Sequence, residues 1–577
     1  MSRSGSLPLP VTNQHHAKAT EAMRAHVQPT DRWVQILLLL ICGGLVIFLL
    51  FPVAIILLKS FQDKEGAFVG LQQFTTYFAN KSLRSSVLHT LFVATTVTLL
   101  VIPAAFMFAY GLTRSRMPGK SMFRTIALIP ILAPSLLAGI SLIQWFGNQG
   151  ILKDWLGGIS IYGPFGIVLS EFYGVFPHAL MILLTALSLV DGRLYEVASS
   201  LGTRRWRRFV TITLPGAKYG LISAALVVFT YTFNDFGVPK VIGGNFNVLA
   251  IDVYQLAIGQ QDFNKSAVVS LLLLTPALFA FAIDLRIRKK LQAHMSVRAK
   301  AFVPKKRPLF DTLMFLYCSV IAVYLVAVLG MAVYSSFIKL WPYNLTMSLD
   351  HYKYGLVEGG ILEAYFNSLK MAGLAAVGGV ATVFISAYIA EKTKGAEGLR
   401  SAIRLLAVLP MGVPGLVLGL GYIFFFNHPQ NPLNILYHTM TILVISTIIH
   451  YYTSSHLTAV TALKSIDNEF EAVSASLKVP LYKTFFRVTV PVCLPAILDI
   501  ARYFFVNAMT TVSAVVFLYS PDTTLASVAI LDLEEAGDVG PAAAMATLIV
   551  LTSVVVCLLY ALLTRVLLKK TQAWRTE

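Results

Sequence analysis

Residues 191–215 have the sequence DGRLYEVASSLGTRRWRRFVTITLP, and residues 467–491 have the related sequence DNEFEAVSASLKVPLYKTFFRVTVP. The two stretches are offset by 276 residues, so that Asp191 matches Asp467. Chance similarity between apolar segments does not explain the match, because polar positions are repeated as well. An offset of this kind, maintained along the chain, indicates an internal duplication.

The composition around these stretches is that of a membrane protein. Of the 577 residues, 56% are hydrophobic and only 13% are charged, whereas a soluble domain has about 25% charged residues. Apolar runs near 20 residues recur, long enough to cross the ~30 Å hydrocarbon layer as helices. We therefore expect an all-α, polytopic membrane protein with about twelve transmembrane helices in two parallel six-helix repeats. The predicted spans are 34–58, 88–112, 122–145, 163–190, 217–240, 266–285, 309–336, 364–390, 402–426, 436–463, 493–519 and 541–567.

The formal net charge of +18 lies mostly in short loops between the apolar runs. Lys and Arg are concentrated in alternate loops and near the C-terminus, which is the pattern of cytoplasmic segments. The pattern predicts that both termini are cytoplasmic, and it argues against a nucleic-acid-binding face. The predicted organisation is a cytoplasmic N-terminal tail (1–32), a first transmembrane domain (33–290), a cytoplasmic linker (291–308) and a second transmembrane domain (309–577).

The repeated loop predicts a short amphipathic helix in each half. In the first copy the apolar residues are spaced i, i+3, i+4, i+7, which places them on one helical face. Gly202 is expected to end that helix in a left-handed conformation. In the second copy Lys478 replaces the glycine, and Pro480 is the expected stop. Such a helix could lie on the bilayer or fill a groove in another protein. Its duplication favours a two-fold-symmetric protein partner.

The motif Glu196-Val-Ala-x-x-Leu-Gly202, followed by Ile-x-Leu-Pro215, resembles the EAA loop of ABC importer permeases. Nearly the whole chain resembles two such permease domains fused. The resemblance implies that each loop forms a coupling helix in a cleft of a homodimeric ATPase, and that a periplasmic or extracellular binding protein delivers the substrate. It implies a location in the bacterial inner membrane. The predicted coupling residues are Leu194, Glu196, Val197, Ala198, Leu201 and Gly202 in the first copy and Phe470, Glu471, Val473, Leu477 and Lys478 in the second.

The two copies differ at the positions that define the motif. Glu471 lies one position early relative to Glu196, and Lys478 occupies the glycine position. Whether the two loops contact the ATPase equally is therefore left open.

Catalytic motifs are missing from the sequence. Gly119-Lys120-Ser121 is the nearest approach to a phosphate-binding loop, but Arg114 stands where its first glycine is required. The four cysteines form no CxxC pair, which gives no metal site. We expect a non-enzymatic chain that binds no cofactor or metal, with ATP used by a separate ATPase.

Polar and helix-breaking residues inside the spans are candidates for a translocation path, because such residues usually face a cavity or a partner helix. Helix–helix packing is an equal alternative. The candidates are Asn234, Asp235, Thr510, Thr511, Pro134 and Pro414. Four further polar residues lie in the fourth and tenth spans without a spacing that forms a metal-ligand set: Glu171, His178, His450 and His456.

Two stretches, 235–255 and 511–526, bear on the substrate. Both resemble the 2-aminoethylphosphonate permease family, which implies that substrate. Ferric iron, thiamine and polyamine importer permeases are the alternatives within the same class. A secondary transporter with two parallel repeats is an alternative outside it, and it would depend on an ion gradient rather than on an ATPase.

Overall fold

The computed structural model describes residues 30–293, 302–355, 361–393, 395–467 and 469–571. Most of the predicted N-terminal tail (1–32) and part of the predicted linker (291–308) lie outside the described residues, so both assignments stay predictions. The described chain is almost entirely helical, which confirms the all-α polytopic class. Helices dominate because, within lipid, a helix satisfies its own backbone hydrogen bonds.

The first half contains eleven helices: α1 (Trp33–Ser60), α2 (Gln72–Ala79), α3 (Lys81–Arg114), α4 (Lys120–Leu132), α5 (Ser135–Phe146), α6 (Pro164–Ser188), α7 (Gly192–Ser200), α8 (Arg205–Asn234), α9 (Gly237–Ile242), α10 (Leu249–Gly259) and α11 (Phe263–Ala293). A separate 3-10 turn lies at Lys153–Leu156.

The second half has a related order, with a β-hairpin added, the counterpart of α6 divided in two and no described helix equivalent to α9. Its elements are α12 (Pro308–Ser336), β1 (Ile338–Leu340), β2 (Asn344–Met347), α13 (Ile361–Lys392), α14 (Glu397–Gly412), α15 (Gly415–Phe426), α16 (Met440–His450), α17 (Tyr452–Lys464), α18 (Glu469–Ser476), α19 (Leu481–Thr510), α20 (Ala526–Ala536) and α21 (Val539–Thr571). The strands form an antiparallel hairpin in which Ile338 pairs with Met347. Short turns lie at His351–Gly355, Pro432–Leu436 and Pro521–Thr523.

Nine of the described helices are long and apolar enough to cross a membrane, and the number is eleven if each bent pair counts as one span. The bent pairs are α4 with α5, at 104°, and α14 with α15, at 113°. Both bends occur at the prolines singled out from the sequence, Pro134 and Pro414, which are the N-caps of α5 and α15. The predicted breaks in two equivalent spans are therefore confirmed.

Three further predicted spans were wrong as single helices. The span 493–519 ends at Thr510, because Thr511 is extended and only turns follow it. The span 217–240 ends at Asn234, because Asp235 turns into an extended conformation and a separate helix, α9, follows. The span 436–463 is divided at Tyr451 into α16 and α17. Just after that break, the Thr453 hydroxyl accepts from the backbone N–H of Met411 at the bend of α14.

The two halves interlock through their first helices. α1 packs against α14 and α15 of the second half, and α12 packs against α4 and α5 of the first. The Tyr422 hydroxyl of α15 donates to the Phe48 carbonyl of α1 at 2.7 Å. The Trp145 indole of α5 donates to the Ala327 carbonyl of α12 at 3.1 Å. Each half therefore supplies a helix to the other, as expected for parallel repeats about a common axis.

Close approach between α1 and α15 depends on Gly421. A Cβ at this position would lie 2.7 Å from the Pro52 carbonyl oxygen, which is closer than real Cβ atoms come. Small residues of this kind allow helix backbones to pack tightly inside a membrane. By contrast, Gly330 on α12 has no atom within 4 Å of a built Cβ.

We expect Gly421→Ala to destabilise the protein by about 1–3 kcal/mol, because the methyl group forces the two halves apart. Thermal unfolding of the detergent-purified protein measures this as a lower melting temperature. Gly330→Ala is the matched control and should unfold at or slightly above the wild-type temperature, since alanine favours a helix by about 1 kcal/mol over glycine. Equal melting temperatures for both variants would contradict the interlocked packing.

Candidate functional site

The first repeated loop forms the helix predicted from its sequence. The Asp191 carboxylate accepts from the Arg193 backbone N–H at 3.0 Å and caps the start of α7. Gly202 has φ +67. Beyond the last turn, the Thr203 N–H donates to the Ala198 carbonyl at 3.0 Å. Gly202 therefore ends α7 in the left-handed conformation that was predicted, through a Schellman-type cap.

The second loop has the same geometry with a less suitable residue. Lys478 takes the left-handed conformation, with φ +53. The Val479 N–H donates to the Ser474 carbonyl at 2.9 Å, as in the first loop. The expectation that Pro480 stops the helix was wrong, because Lys478 ends α18 and Pro480 is the N-cap of α19. A lysine side chain in this conformation costs energy that glycine avoids.

Each of these two helices exposes an apolar stripe. The exposed side chains are Leu194, Val197 and Leu201 on α7 and Phe470, Val473 and Leu477 on α18. The most exposed are Leu201, at 76%, and Leu477, at 69%. Ala198 is buried, and the Ser474 hydroxyl bonds the Thr484 hydroxyl, so these two positions face the protein itself. The Glu196 side chain is exposed beside the first stripe.

A buried cation holds each loop against its own half. The Arg114 guanidinium donates to the Leu187 carbonyl at 2.8 Å and lies 4.9 Å from the centre of the Tyr195 ring. Such a cation over an aromatic face is attractive. In the second half, the Lys392 ammonium donates to a backbone carbonyl at 2.9 Å and lies 3.5 Å from Glu471 Oε2.

This contact changes the interpretation of Glu471. At the 276-residue offset, Glu471 is the counterpart of Tyr195 rather than of Glu196. Its side chain is directed to Lys392 within the second half, so it is not part of the exposed stripe. The counterpart of Glu196 is Ala472, which carries no charge. The two loops therefore differ in their outward charge.

A cavity of about 460 Å³ lies between the halves. All six predicted path residues line it: Pro134, Asn234, Asp235, Pro414, Thr510 and Thr511. It forms where both bent pairs and the broken spans meet, so sequence positions far apart converge there.

The ends of α8 and α19 are equivalent at this cavity. Each helix is followed by one extended residue, Asp235 with ψ 136 and Thr511 with ψ 136. The Asp235 carboxylate then accepts from the Val238 backbone N–H at 2.8 Å and stabilises the first turn of α9. The Asp235 side chain thus stabilises the start of the helix that follows the break.

The cavity is acidic. Glu171 and Asp235 line it, and none of the described residues that line it is a lysine or an arginine. His178 and His450 also line it, whereas His456 lies elsewhere, stacked on Tyr452. The pairing of Glu171 with Asp235 was not predicted, because it depends on the packing of α6 beside the end of α8. Within the described ranges, no three His, Cys, Asp or Glu side chains come together as a metal-holding group.

An ion pair connects the halves beside the cavity. Lys240 Nζ on α9 lies 2.5 Å from Glu535 Oε1 on α20. The neighbouring Glu534 is partly buried, and burial together with the charge of Glu535 raises its pKa to about 7. The two segments therefore contact each other here.

The fold and the site define a polytopic permease with two equivalent loop helices around one central cavity. Residues 101–292 and 382–571, one stretch in each half, match the family model of the binding-protein-dependent transport system inner membrane component. The chain belongs to this family of ABC importer permeases. The match contradicts the alternative of a gradient-driven secondary transporter.

Several relatives are similar over much of the chain. It is 26% identical over 531 residues to the ferric transport system permease protein FbpB of Actinobacillus pleuropneumoniae, covering 89% of this chain and 76% of the relative. It is 24% identical over 535 residues to the Fe(3+)-transport system permease protein FbpB 2 of Haemophilus influenzae, covering 90% and 96%. The thiamine transport system permease protein ThiP of Escherichia coli is 24% identical over 365 residues, covering 60% and 65%.

A solved bacterial ABC transporter involved in the import of the acidic polysaccharide alginate also aligns with this chain. The TM-score is 0.36 and the sequence identity 16%, over 48% of this chain and 98% of that chain.

We expect Lys478→Gly to stabilise α18 by about 1 kcal/mol, because glycine adopts a left-handed conformation without steric cost. Hydrogen–deuterium exchange of residues 471–477 should slow accordingly. Gly202→Ala is the matched change in α7 and should speed exchange there by a similar free energy. Exchange that is unaltered in both variants would show that neither residue controls its helix end.

Proposed function

We propose that this chain is the membrane-spanning subunit of an ATP-driven importer for ferric iron. It lies in the bacterial inner membrane with both termini in the cytoplasm. The acidic cavity between the halves, without a lining lysine or arginine among the described residues, carries the proposal because it favours a cationic substrate. Two relatives that align with most of the chain carry the name of ferric transport permeases, which supports the same choice.

The exposed stripes on α7 and α18 are the proposed ATPase contacts. An apolar helical face of this kind is stabilised when it fills a hydrophobic groove of another protein. Two such helices in equivalent positions suit two subunits related by a two-fold axis. ATP is bound and hydrolysed on those subunits. A binding protein outside the membrane delivers the substrate.

The charge of the cavity argues against 2-aminoethylphosphonate. Its ammonium group could contact Glu171 and Asp235, but its phosphonate group is an anion and would find no arginine or lysine in the described lining. Phosphate-like groups are usually recognised by arginine, lysine or backbone N–H groups. The relatives do not support the phosphonate expectation either, and ferric iron replaces it as the proposed substrate.

The interlocked helices can transmit movement from the ATPase subunits to the cavity. Closure of the ATPase subunits would move α7 and α18 together. The buried contacts of Arg114 and Lys392 tie each loop helix to its own half, so that this motion reaches the helices around the cavity. The change exposes the cavity to one side and then to the other, because the two states bind the ATPase differently.

We expect Glu196→Lys to lower ATP-dependent transport at least about tenfold, because it reverses the charge beside the first stripe and weakens docking. ATP hydrolysis by the complex should continue but lose its response to the loaded binding protein. Both are measured in proteoliposomes with the ATPase and binding protein present. Glu363→Lys, a charge reversal at an exposed position at the start of α13, is the control and should behave as wild type. Wild-type transport by Glu196→Lys would refute this role.

Substrate choice is tested by uptake into the same proteoliposomes. Radioactive iron(III), 2-aminoethylphosphonate and thiamine are each offered with the binding protein of the importer. The expected result is ATP-dependent accumulation of iron and of neither other compound. Ferric transport permeases align with about 90% of the chain and the thiamine permease with 60% of it, and the phosphonate group is an anion that an acidic cavity disfavours. Omission of ATP is the control. Uptake of the phosphonate or thiamine without iron would overturn the proposed substrate.

A further inference from the structure

The acidic charge of the cavity is confined to one pair of side chains. Glu171 on α6 and Asp235 at the end of α8 both line the cavity, near enough for their charges to interact. Glu171 is only 3% exposed. Its Oε1 atom is buried without a hydrogen-bond partner in the part of the chain that the structure describes, yet Glu171 lines the cavity. A buried carboxylate oxygen without a partner is costly and calls for an explanation.

The second half shows that the fold does not require this pair. At the 276-residue offset, the counterparts of Glu171 and Asp235 are Thr447 and Thr511. The Thr447 hydroxyl donates to the Leu443 carbonyl within its own helix at 2.8 Å. Helix α19 ends beside the cavity with the same backbone geometry as α8. Two threonines thus occupy the equivalent positions, so that a pair of carboxyl groups is not needed to end these helices at the cavity.

Electrostatics indicates what would stabilise this pair of carboxyl groups. Two carboxylates at this distance repel each other strongly in a site with little water, unless a proton or a cation lies between them. The described lining of the cavity supplies no lysine or arginine. Carboxylate oxygens are ligands for hard cations. A cation that passes through the cavity would therefore be attracted to this point.

We propose that the Glu171–Asp235 pair is a transit site for the cationic cargo, at which each carboxyl group donates one oxygen and water fills the remaining positions. The inference rests on the proposed function and assigns its substrate a place in the cavity. No third acidic or histidine ligand joins the pair in the described residues, so binding is weak. Weak binding is what a transport path needs, because the cargo must also leave.

The test measures iron(III) uptake in proteoliposomes that contain the permease, its ATPase and the iron-loaded binding protein. Glu171→Gln and Asp235→Asn remove one charge each with little change in shape. Both should lower the initial uptake rate by about tenfold or more, because a single carboxylate attracts the cation less. Asp235→Glu keeps the charge and should recover much of the rate. ATP hydrolysis stimulated by the binding protein should stay within about twofold of wild type in every variant, because the loop helices are untouched.

Glu363→Gln is the control for overall charge, since this exposed residue lies away from the cavity, and its uptake should equal wild type. Loss of iron uptake together with loss of stimulated hydrolysis in Glu171→Gln and Asp235→Asn would show a structural role and overturn the inference. Wild-type uptake by both neutral variants would also overturn it, while leaving the proposed function intact. A wild-type complex that transports no iron would overturn the proposed function and this inference with it.

Discussion

Within a bilayer, every backbone N–H and C=O group must find its partner inside the protein, and the rest of this structure depends on that constraint. Long helices meet it by themselves. Breaks are tolerated only where the freed groups are enclosed by protein, as at the bends, where the Ala133 and Val413 N–H groups bond back to Pro130 and Pro410. The bends and the ends of α8 and α19 all meet at the cavity. The broken helices therefore enclose the same cavity that is proposed as the path of the substrate.

The interlocking of the halves determines how movement can spread. Because α1 lies on the bent pair of the second half and α12 on that of the first, neither half can shift without carrying part of the other. Tyr422 and Gly421 fix the first of these contacts closely. At the other end, the contacts of Tyr195 with Arg114 and of Glu471 with Lys392 hold the loop helices to their halves. Rigid packing at both ends favours rigid-body movement of large parts of the protein over local unfolding.

Much of this arrangement could be predicted from the sequence, because duplication and hydropathy are local or regularly spaced signals. The repeat, the proline breaks, the loop helices and the left-handed Gly202 followed from such patterns, and all six proposed path residues line the cavity. The end of α8 at Asn234 was missed because the break is stabilised by a local contact that hydropathy does not record. The Asp235 carboxylate accepts a hydrogen bond from the first turn of α9. The roles of Glu471 and of the Glu171–Asp235 pair were missed because they depend on which helices pack side by side, and no spacing along the chain records that.

The unequal halves have a consequence for how such a transporter could be assembled. A homodimer made from two copies of the first half would surround its cavity with four carboxyl groups, two from each subunit, at the positions of Glu171 and Asp235. In the fused chain the same positions of the second half are Thr447 and Thr511. A single polypeptide thus does more than hold the halves at one to one. It always pairs two unlike copies, so that two carboxyl groups line one wall of the cavity while uncharged threonines hold the equivalent positions of the other half.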